Sequence, residues 1–581
     1  MNTRLPDNKQ LTFLGKYLRT QQRGLLLLAT LLIVEIGLQL ISPQILRNFI
    51  DTALAGTTQQ RLTFQALLFI GVSLTAQAIS VINVYLSEKI GWAATNTLRS
   101  HLSLHCLRLD LSFHKRHTPG ELIERIDGDV TTLSNFFSQF IGRLLSNALL
   151  IFGVLLLLFW EEWRIGLAVG GFLLLSLTII KRTHQVAVPG WLAARQTNAS
   201  LFGFIEEGLT GINSIRANAA IPYAMHRLYM FMRARLQKHR KARLIGAGMF
   251  ATITGLLTLN TAIGLLVGAY LYISGSITIG TVYLIFHYTE MLRTPIGQVN
   301  DQLQDYQKAT AGITRIQELF HIHSDVKEYP TASLPYGPLA VSVNNISFAY
   351  DDSKIVLNKI SFRVQAGKVL GLLGRTGSGK STLANLLVRL YDPQSGTIKL
   401  GDVDINRVSL ANLRQRVGIV TQNVQLFQAS LRDNVAIFDR TISDEQILSA
   451  LAELGLWQWY RSLPDGLDTI LSSQALSAGQ AQLVAFARVL LRKPGLVVLD
   501  EASSRLDPST ENMIERAVDT LLQDCTAIII AHRLGTVARA DDILILDNGS
   551  IREYGIRSEL AGNQDSYFSH MLRAGIEEIL V

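Results

Sequence analysis

Hydrophobic and polar positions follow two different patterns along the chain. Before about residue 300 the apolar residues gather into six runs, roughly 24–48, 64–87, 138–160, 165–181, 247–273 and 278–299. Crossing a ~30 Å hydrocarbon layer takes about 20 helical residues. The third and fourth runs are joined only by "EEWR" (Glu161–Arg164) and the fifth and sixth by "SGSIT". The intervening stretches after the second and fourth runs are much longer, about 50 and 65 residues, and are mostly polar. The pattern predicts six membrane helices with tight turns on one side and long helical loops on the other.

After residue 300 the pattern changes. A helical stretch leads into "YPTASLPYGPLA", which holds three prolines and reads as a joint. Beyond it, short β-rich runs such as "VSVNNISFAY", "LVVLD" and "TAIIIAH" alternate with helical ones, the signature of an α/β domain. The expected organisation is a membrane domain over 1–300, a linker over 301–338 and an α/β domain over 339–581.

Composition sharpens this reading. Charged residues make up 17% of the 581 residues, against about 25% in an ordinary soluble protein. The net charge of +8 could suggest nucleic acid. The basic residues instead crowd the long loops, as in "KHRKARL" (Lys238–Leu244), whereas the short turns have almost none. Cytoplasmic loops carry such an excess, so the long loops and both termini are expected in the cytoplasm, with no nucleic-acid partner. No cleavable signal precedes the first run, so it is expected to stay as an anchor. Cys106 and Cys525 lie far apart without metal-ligand spacing and read as inert thiols in a reducing compartment.

The candidate chemistry lies in the second half. Gly374, Arg375, Thr376, Gly377, Ser378, Gly379, Lys380 and Ser381 fit G-x-x-x-x-G-K-[ST], between the apolar run "VLGLL" and the helical "STLANLLVRL". Glycines let successive backbone N–H groups curl around phosphate oxygens at a helix N-terminus. Lys380 is placed to reach the β- and γ-phosphates, and Ser381 to ligate Mg²⁺. "LVVLDE" (Leu496–Glu501) is a buried strand ending in two acids. Asp500 would hold Mg²⁺ or its water shell, and Glu501 would orient or polarise an attacking water.

Together these residues resemble the nucleotide-binding domain of ABC transporters. "ALSAGQAQLVAFARVLL" (Ala475–Leu491) is similar to that family's signature, "TQN" with Gln422 to its Q-loop, "SRLD" (Ser504–Asp507) to its D-loop, and "AHRL" with His532 to its switch segment. The resemblance implies an exporter-type fusion: an N-terminal all-α six-helix transmembrane domain and a C-terminal α/β P-loop ATPase domain. It implies ATP and Mg²⁺, with Tyr350 stacking on adenine and Thr382 beside the phosphates. Lys380, Glu501 and His532 would serve hydrolysis, and Ser381, Gln422 and Asp500 would serve the metal. Ser477, Ala478, Gly479 and Gln480 would face the nucleotide of a second copy or a second half-transporter. The segments 112–130 and 204–220 resemble the family's coupling regions. By the habit of the family, the implied place is a bacterial inner membrane, and the implied work is export or flipping of a lipid, peptide or hydrophobic compound. A membrane-anchored ATPase that gates or regulates without moving solute stays open as the alternative.

The sequence departs from the family in one motif. Ala478 stands where the family has glycine, and "DTILSSQALSAGQ" (Asp468–Gln480) lacks the acid expected upstream. If position 478 needs a positive φ, alanine costs on the order of 1 kcal/mol. That leaves two expectations: a homodimer that tolerates the change, or a heterodimer with one weakened site. Within the apolar runs, Glu35, Gln39, Asn260, His287 and Glu290 are polar residues at mid-bilayer positions. They are expected either to line a substrate path or to glue helices together, for example through a Glu35–His287 pair.

Overall fold

The computed structural model describes residues 15, 17, 19–56, 58–350, 354–422, 424–471, 476–500, 508–531 and 534–574. The chain divides into two compact units. One holds 1–107 and 120–322, and the other holds 108–119 and 323–581. The short segment 108–119 thus belongs with the α/β unit, although it sits in sequence between the second and third membrane runs.

In the first unit the apolar runs are helices that far exceed their hydrophobic cores. They are α1 (Gln22–Leu54), α2 (Gln59–Arg108), a third span over Pro119–Glu161 that ends in α4 (Ser146–Glu161), α5 (Trp163–Thr210) and α6 (Ile221–Ile273). The short α3 (Leu111–Arg116) lies in the other unit. These five spans are long and apolar enough to cross a membrane, by length and composition among the described residues. At about 1.5 Å per residue, α5 with 48 residues and α6 with 53 run on the order of 70–80 Å, more than twice a ~30 Å hydrocarbon layer. Their excess is the basic stretch between Lys181 and Arg243. Turns are tight where the sequence placed them: α4 ends at Glu161 and α5 begins at Trp163. The sixth run is divided. α7 (Ile279–Met291) and α8 (Arg293–His321) meet at Leu292. Pro295 falls in the first turn of α8, where its missing N–H has no intrahelical carbonyl to pair with.

In the second unit, a six-stranded sheet carries the order β12-β11-β3-β10-β9-β6. Its strands are β3 (Val369–Gly374), β6 (Val417–Val420), β9 (Leu496–Asp500), β10 (Thr526–Ile530), β11 (Asp542–Asp547) and β12 (Ser550–Ile556). All run parallel except β12. Both faces are buried and period-two alternation divides the side chains. Val497, Leu499, Ala527 and Ile529 join one core, while Leu496, Val498, Ile528 and Ile530 join the other. The second core is closed by an antiparallel sheet, β2-β1-β4-β5, of β1 (Val341–Ala349), β2 (Ile355–Val364), β4 (Ser395–Leu400) and β5 (Val403–Asp404). A small ribbon pairs β7 (Ala429–Ser430) with β8 (Ile470–Leu471).

Cys525 is buried just ahead of β10, and burial, then the charge of Asp524, pushes its thiol up to about 11. At neutral pH the reactive thiolate is therefore scarce. Maleimide is expected to leave Cys525 unlabelled in the folded chain and to label it after unfolding, as read by peptide mass.

Candidate functional site

The parallel sheet brings the expected ATP-site residues to one edge. β3 runs into Gly374, β6 ends two residues before Gln422, and β9 ends at Asp500. Because these strands are parallel, their carboxyl ends lie side by side, the place where open α/β sheets hold ligands. β9 and β10 also lead to Glu501 and His532, which lie outside the described residues, as does the "SRLD" segment.

The loop after β3 is built for close backbone approach. Gly374 has φ +146°, and a Cβ there would collide with the Leu546 carbonyl oxygen. Gly379 has φ +105°, and its Cβ would sit 2.6 Å from Leu357 Cδ2. Only glycine fits either position. Gly379 caps the N-terminus of α9 (Lys380–Leu387) without a side chain of its own, so the first amides of the helix face the loop. Lys380 is buried, and its Nζ donates to the Gly374 carbonyl at 2.6 Å and to the Arg375 carbonyl at 3.1 Å. The ammonium is thereby held within the loop. Ser378 is buried with an Oγ that finds no protein partner, in a loop otherwise closed by backbone bonds. A buried hydroxyl without a protein partner beside two obligatory glycines fits an anion. Arg375, Thr376, Gly377 and Ser381 are exposed at the loop rim. Thr382 is buried and its Oγ1 lies 3.0 Å from the Tyr350 hydroxyl.

Asp500 is half-buried and Gln422 exposed. Their side-chain oxygens and the Ser381 hydroxyl are hard donors of the kind that suits Mg²⁺.

The signature opens α10 (Ala478–Leu490), which follows the β7–β8 ribbon rather than a strand of the parallel sheet. Ser477 is its N-cap: Ser477 Oγ accepts from Gln480 N at 3.2 Å, and Gln480 Oε1 accepts from Ser477 N at 3.1 Å. This capping box uses the hydroxyl as an acceptor. Ala478 is the first residue of the helix and is not among the residues with positive φ. The conditional strain at this position therefore does not arise.

Within the membrane unit, Glu35 is buried at 6% exposure. Its carboxylate accepts from Gln39 Nε2 at 3.1 Å and from Asn83 Nδ2 at 2.6 Å. The expected pairing of Glu35 with His287 is not what forms; His287 stacks on Tyr283, with 6.1 Å between ring centroids. Glu290 instead accepts from Thr261 at 3.2 Å and from Arg293 at 3.2 Å. Asn260 is buried, and neither atom of its amide has a protein partner. Asn83 was missed in the sequence, though an asparagine inside "SVINVYL" carried the same signal as Asn260. A second network was also missed. At the short-turn end of the unit, Arg47 pairs with Glu161 at 2.6 Å, Gln44 donates to Glu161 at 3.1 Å, and Asp51 accepts from Gly280 N at 2.9 Å. It ties α1 to α4 and α7. His114 and His117 pack on Phe113, and no metal-ligating cluster occurs among the described residues.

Comparison with known proteins agrees with this geometry. Residues 25–296 match the family model described as ABC transporter transmembrane region, and residues 357–504 match the one described as ABC transporter. The chain is 30% identical to an ATP-dependent lipid A-core flippase of Pseudomonas fluorescens over 86% of its length and 83% of that protein's. It is 29% identical to an uncharacterised ABC transporter ATP-binding protein of Bacillus subtilis, over 96% of its length and 93% of that protein's. Its fold matches the structure of a bacterial Atm1-family ABC exporter with ATP bound, with TM-score 0.80 and 23% identity, over 96% of this chain and 99% of that one.

Proposed function

Since this chain belongs to the ABC transporter family, as an ATP hydrolase coupled to transport in a multi-pass membrane protein, we propose that it exports or flips an amphiphile across a bacterial inner membrane as one half of a homodimer. The observation that carries this reading is the fusion in one chain of an intact phosphate loop with apolar helices that continue into long basic extensions. One chain has one cradle and one signature, so two chains complete two sites. The strain-free Ala478 at a helix start supports a homodimer, because nothing in its backbone weakens the signature.

In this proposal Lys380 and the loop amides neutralise the β- and γ-phosphates, and Glu501 orients the attacking water. His532 contacts the γ-phosphate, and Tyr350 stacks on the base. Ser477 and Gly479 close on the partner's nucleotide. Ser381, Gln422 and Asp500 would hold Mg²⁺, which would supply charge neutralisation at the phosphates. Closing two nucleotide domains on ATP favours one arrangement of the membrane halves, and hydrolysis releases it. Both termini lie in the cytoplasm.

Glu35, Gln39, Asn83, Asn260, His287 and Glu290 are proposed to line the path of the substrate. Two observations support this: the Asn260 amide and the Asn83 Oδ1 atom are buried without partners. Unpaired polar atoms in a bilayer are costly, and a passing polar headgroup would pair them. The relatives named as flippases act on lipid A-core, which supports a lipid-like substrate.

The test is flux in reconstituted vesicles. Fluorescent lipid and hydrophobic dye are expected to move only with ATP, and not with a Lys380→Met chain. Glu35→Gln is expected to change transport by roughly tenfold while basal ATP hydrolysis holds. Hydrolysis without any flux would favour the gate or regulator reading instead.

A further inference from the structure

The segment 108–119 lies in the first long cytoplasmic loop of the sequence, yet it folds as part of the α/β unit. Its attachment there is specific. Asp110 caps α3, accepting from Phe113 N at 3.0 Å through Oδ1. The other carboxylate oxygen, Oδ2, accepts from Asp325 N at 2.5 Å and from Ser324 Oγ at 3.2 Å, in the chain that opens the α/β domain. Leu111 packs against the core beneath the antiparallel sheet. One acid thus bolts the start of α3, and one leucine seats its apolar side.

This attachment puts Lys115 over the aromatic ring at Tyr350. The ammonium lies 4.5 Å from the Tyr350 ring centroid and 5.4 Å from that of Tyr391. The ring is held by other contacts as well. Phe348 and Tyr391 make T-shaped contacts with it, at 5.0 and 5.2 Å between centroids, and its hydroxyl is hydrogen-bonded to Thr382 in the helix of the phosphate loop. With a cation on one face of the ring, a stacking base would take the opposite face. A cation on the near face also adds positive potential close to a triphosphate. Lys115 itself is exposed. A cavity of about 490 Å³, lined by Ser112, Arg116, Asp325, Tyr350, Asp392 and others, borders α3 and the rings.

We propose that Lys115 is a positioning residue for the nucleotide: it holds the Tyr350 ring from behind so that adenine stacks on the other face, and it makes the affinity for ATP depend on where the first cytoplasmic loop sits. The proposal rests on the reading of Tyr350 as the adenine platform. It deepens that reading by naming the group that ties the platform to the loop. Movement of the loop that carries Lys115 off the ring would loosen the base, and a bound base would hold the loop in place, since coupling of this kind is reciprocal.

The test uses the full-length dimer in lipid nanodiscs, with ATP as the probe. Lys115→Met removes the charge at similar length and is expected to raise the KM for ATP roughly threefold to tenfold with kcat within about twofold. Lys115→Arg keeps a cation that stacks on aromatic rings and is expected to restore KM. Without nucleotide the melting temperature of Lys115→Met should match the parent, while the upward shift produced by ATP should shrink. A merely structural lysine would lower the first and spare the second. Tyr350→Ala serves as the reference. If it raises KM and Lys115→Met does not, or if Lys115→Met tightens ATP binding, the role given to Lys115 is overturned and the platform stands. If Tyr350→Ala leaves KM unchanged, the platform itself is wrong and the proposal falls with it.

Discussion

Lys380→Met is expected to lower ATP turnover by about 10²–10³-fold while leaving the chain folded. The lysine is buried in the loop and donates to two loop carbonyls, Gly374 at 2.6 Å and Arg375 at 3.1 Å. Its charge therefore stays at the loop mouth before any phosphate arrives, and little reorganisation is needed when one does. Such preorganised charge is worth most in a closed, water-poor site, where screening is weak. Methionine keeps the length and the apolar stem but stabilises no developing charge. It also strands two carbonyls, at a cost of about 1–3 kcal/mol each where water cannot reach them. The loop should survive because its shape is set by Gly374 and Gly379 and by the strands around it. Turnover measured on the reconstituted dimer, alongside its melting temperature, separates loss of chemistry from loss of fold. A variant retaining more than a tenth of the parent rate would remove Lys380 from the mechanism.

The parts of this molecule that follow a local rule were legible in the sequence. The phosphate loop is one: its glycines, its flanking strand and its helix are contiguous, and each is required by backbone geometry. The tight turns at Glu161–Trp163 and Ile273–Ile279 are another, because an apolar period simply stops there. The capping box at Ser477 and Gln480 could have been read from the S-x-x-Q spacing alone, and it would have placed Ala478 inside the helix. What was not legible depends on which helix faces which. The partner of Glu35 is Asn83, 48 residues away, and no periodicity specifies that contact. Arg47 and Glu161 are 114 residues apart and meet only because α1 and α4 pack together. The seating of α3 against the α/β core was hidden for a similar reason. Its anchor, Asp110, reaches a turn more than 200 residues later, whereas the sequence around it reads as one more polar loop.

Two inactive variants of this chain should restore activity when combined, and this is the sharpest consequence of the shared-site reading. Ser477→Arg removes the cap of α10 and places a bulky cation where the partner's phosphate would approach, so it should disable the signature and spare the cradle of its own chain. Lys380→Met does the reverse. Alone, each homodimer has two defective sites. In a mixed dimer both defects fall on the same site, and the other site is intact. With equal co-expression and random pairing, half of the dimers are mixed and carry one good site of two, so about a quarter of the parent activity should return if the sites act independently. The loss of the cap costs about 0.5–2 kcal/mol of helix stability, small enough for the domain to remain folded. Recovery of ATP hydrolysis in the mixture, against silence in each variant, would establish that one chain completes the other. A mixture as inactive as its parts, from a parent chain that is itself active, would mean that the two sites are not built across two copies. A parent chain inactive on its own would point to a different half-transporter as the natural partner. The strain-free Ala478 argues against that last outcome, since the signature offers a capped helix start whose backbone carries no strain.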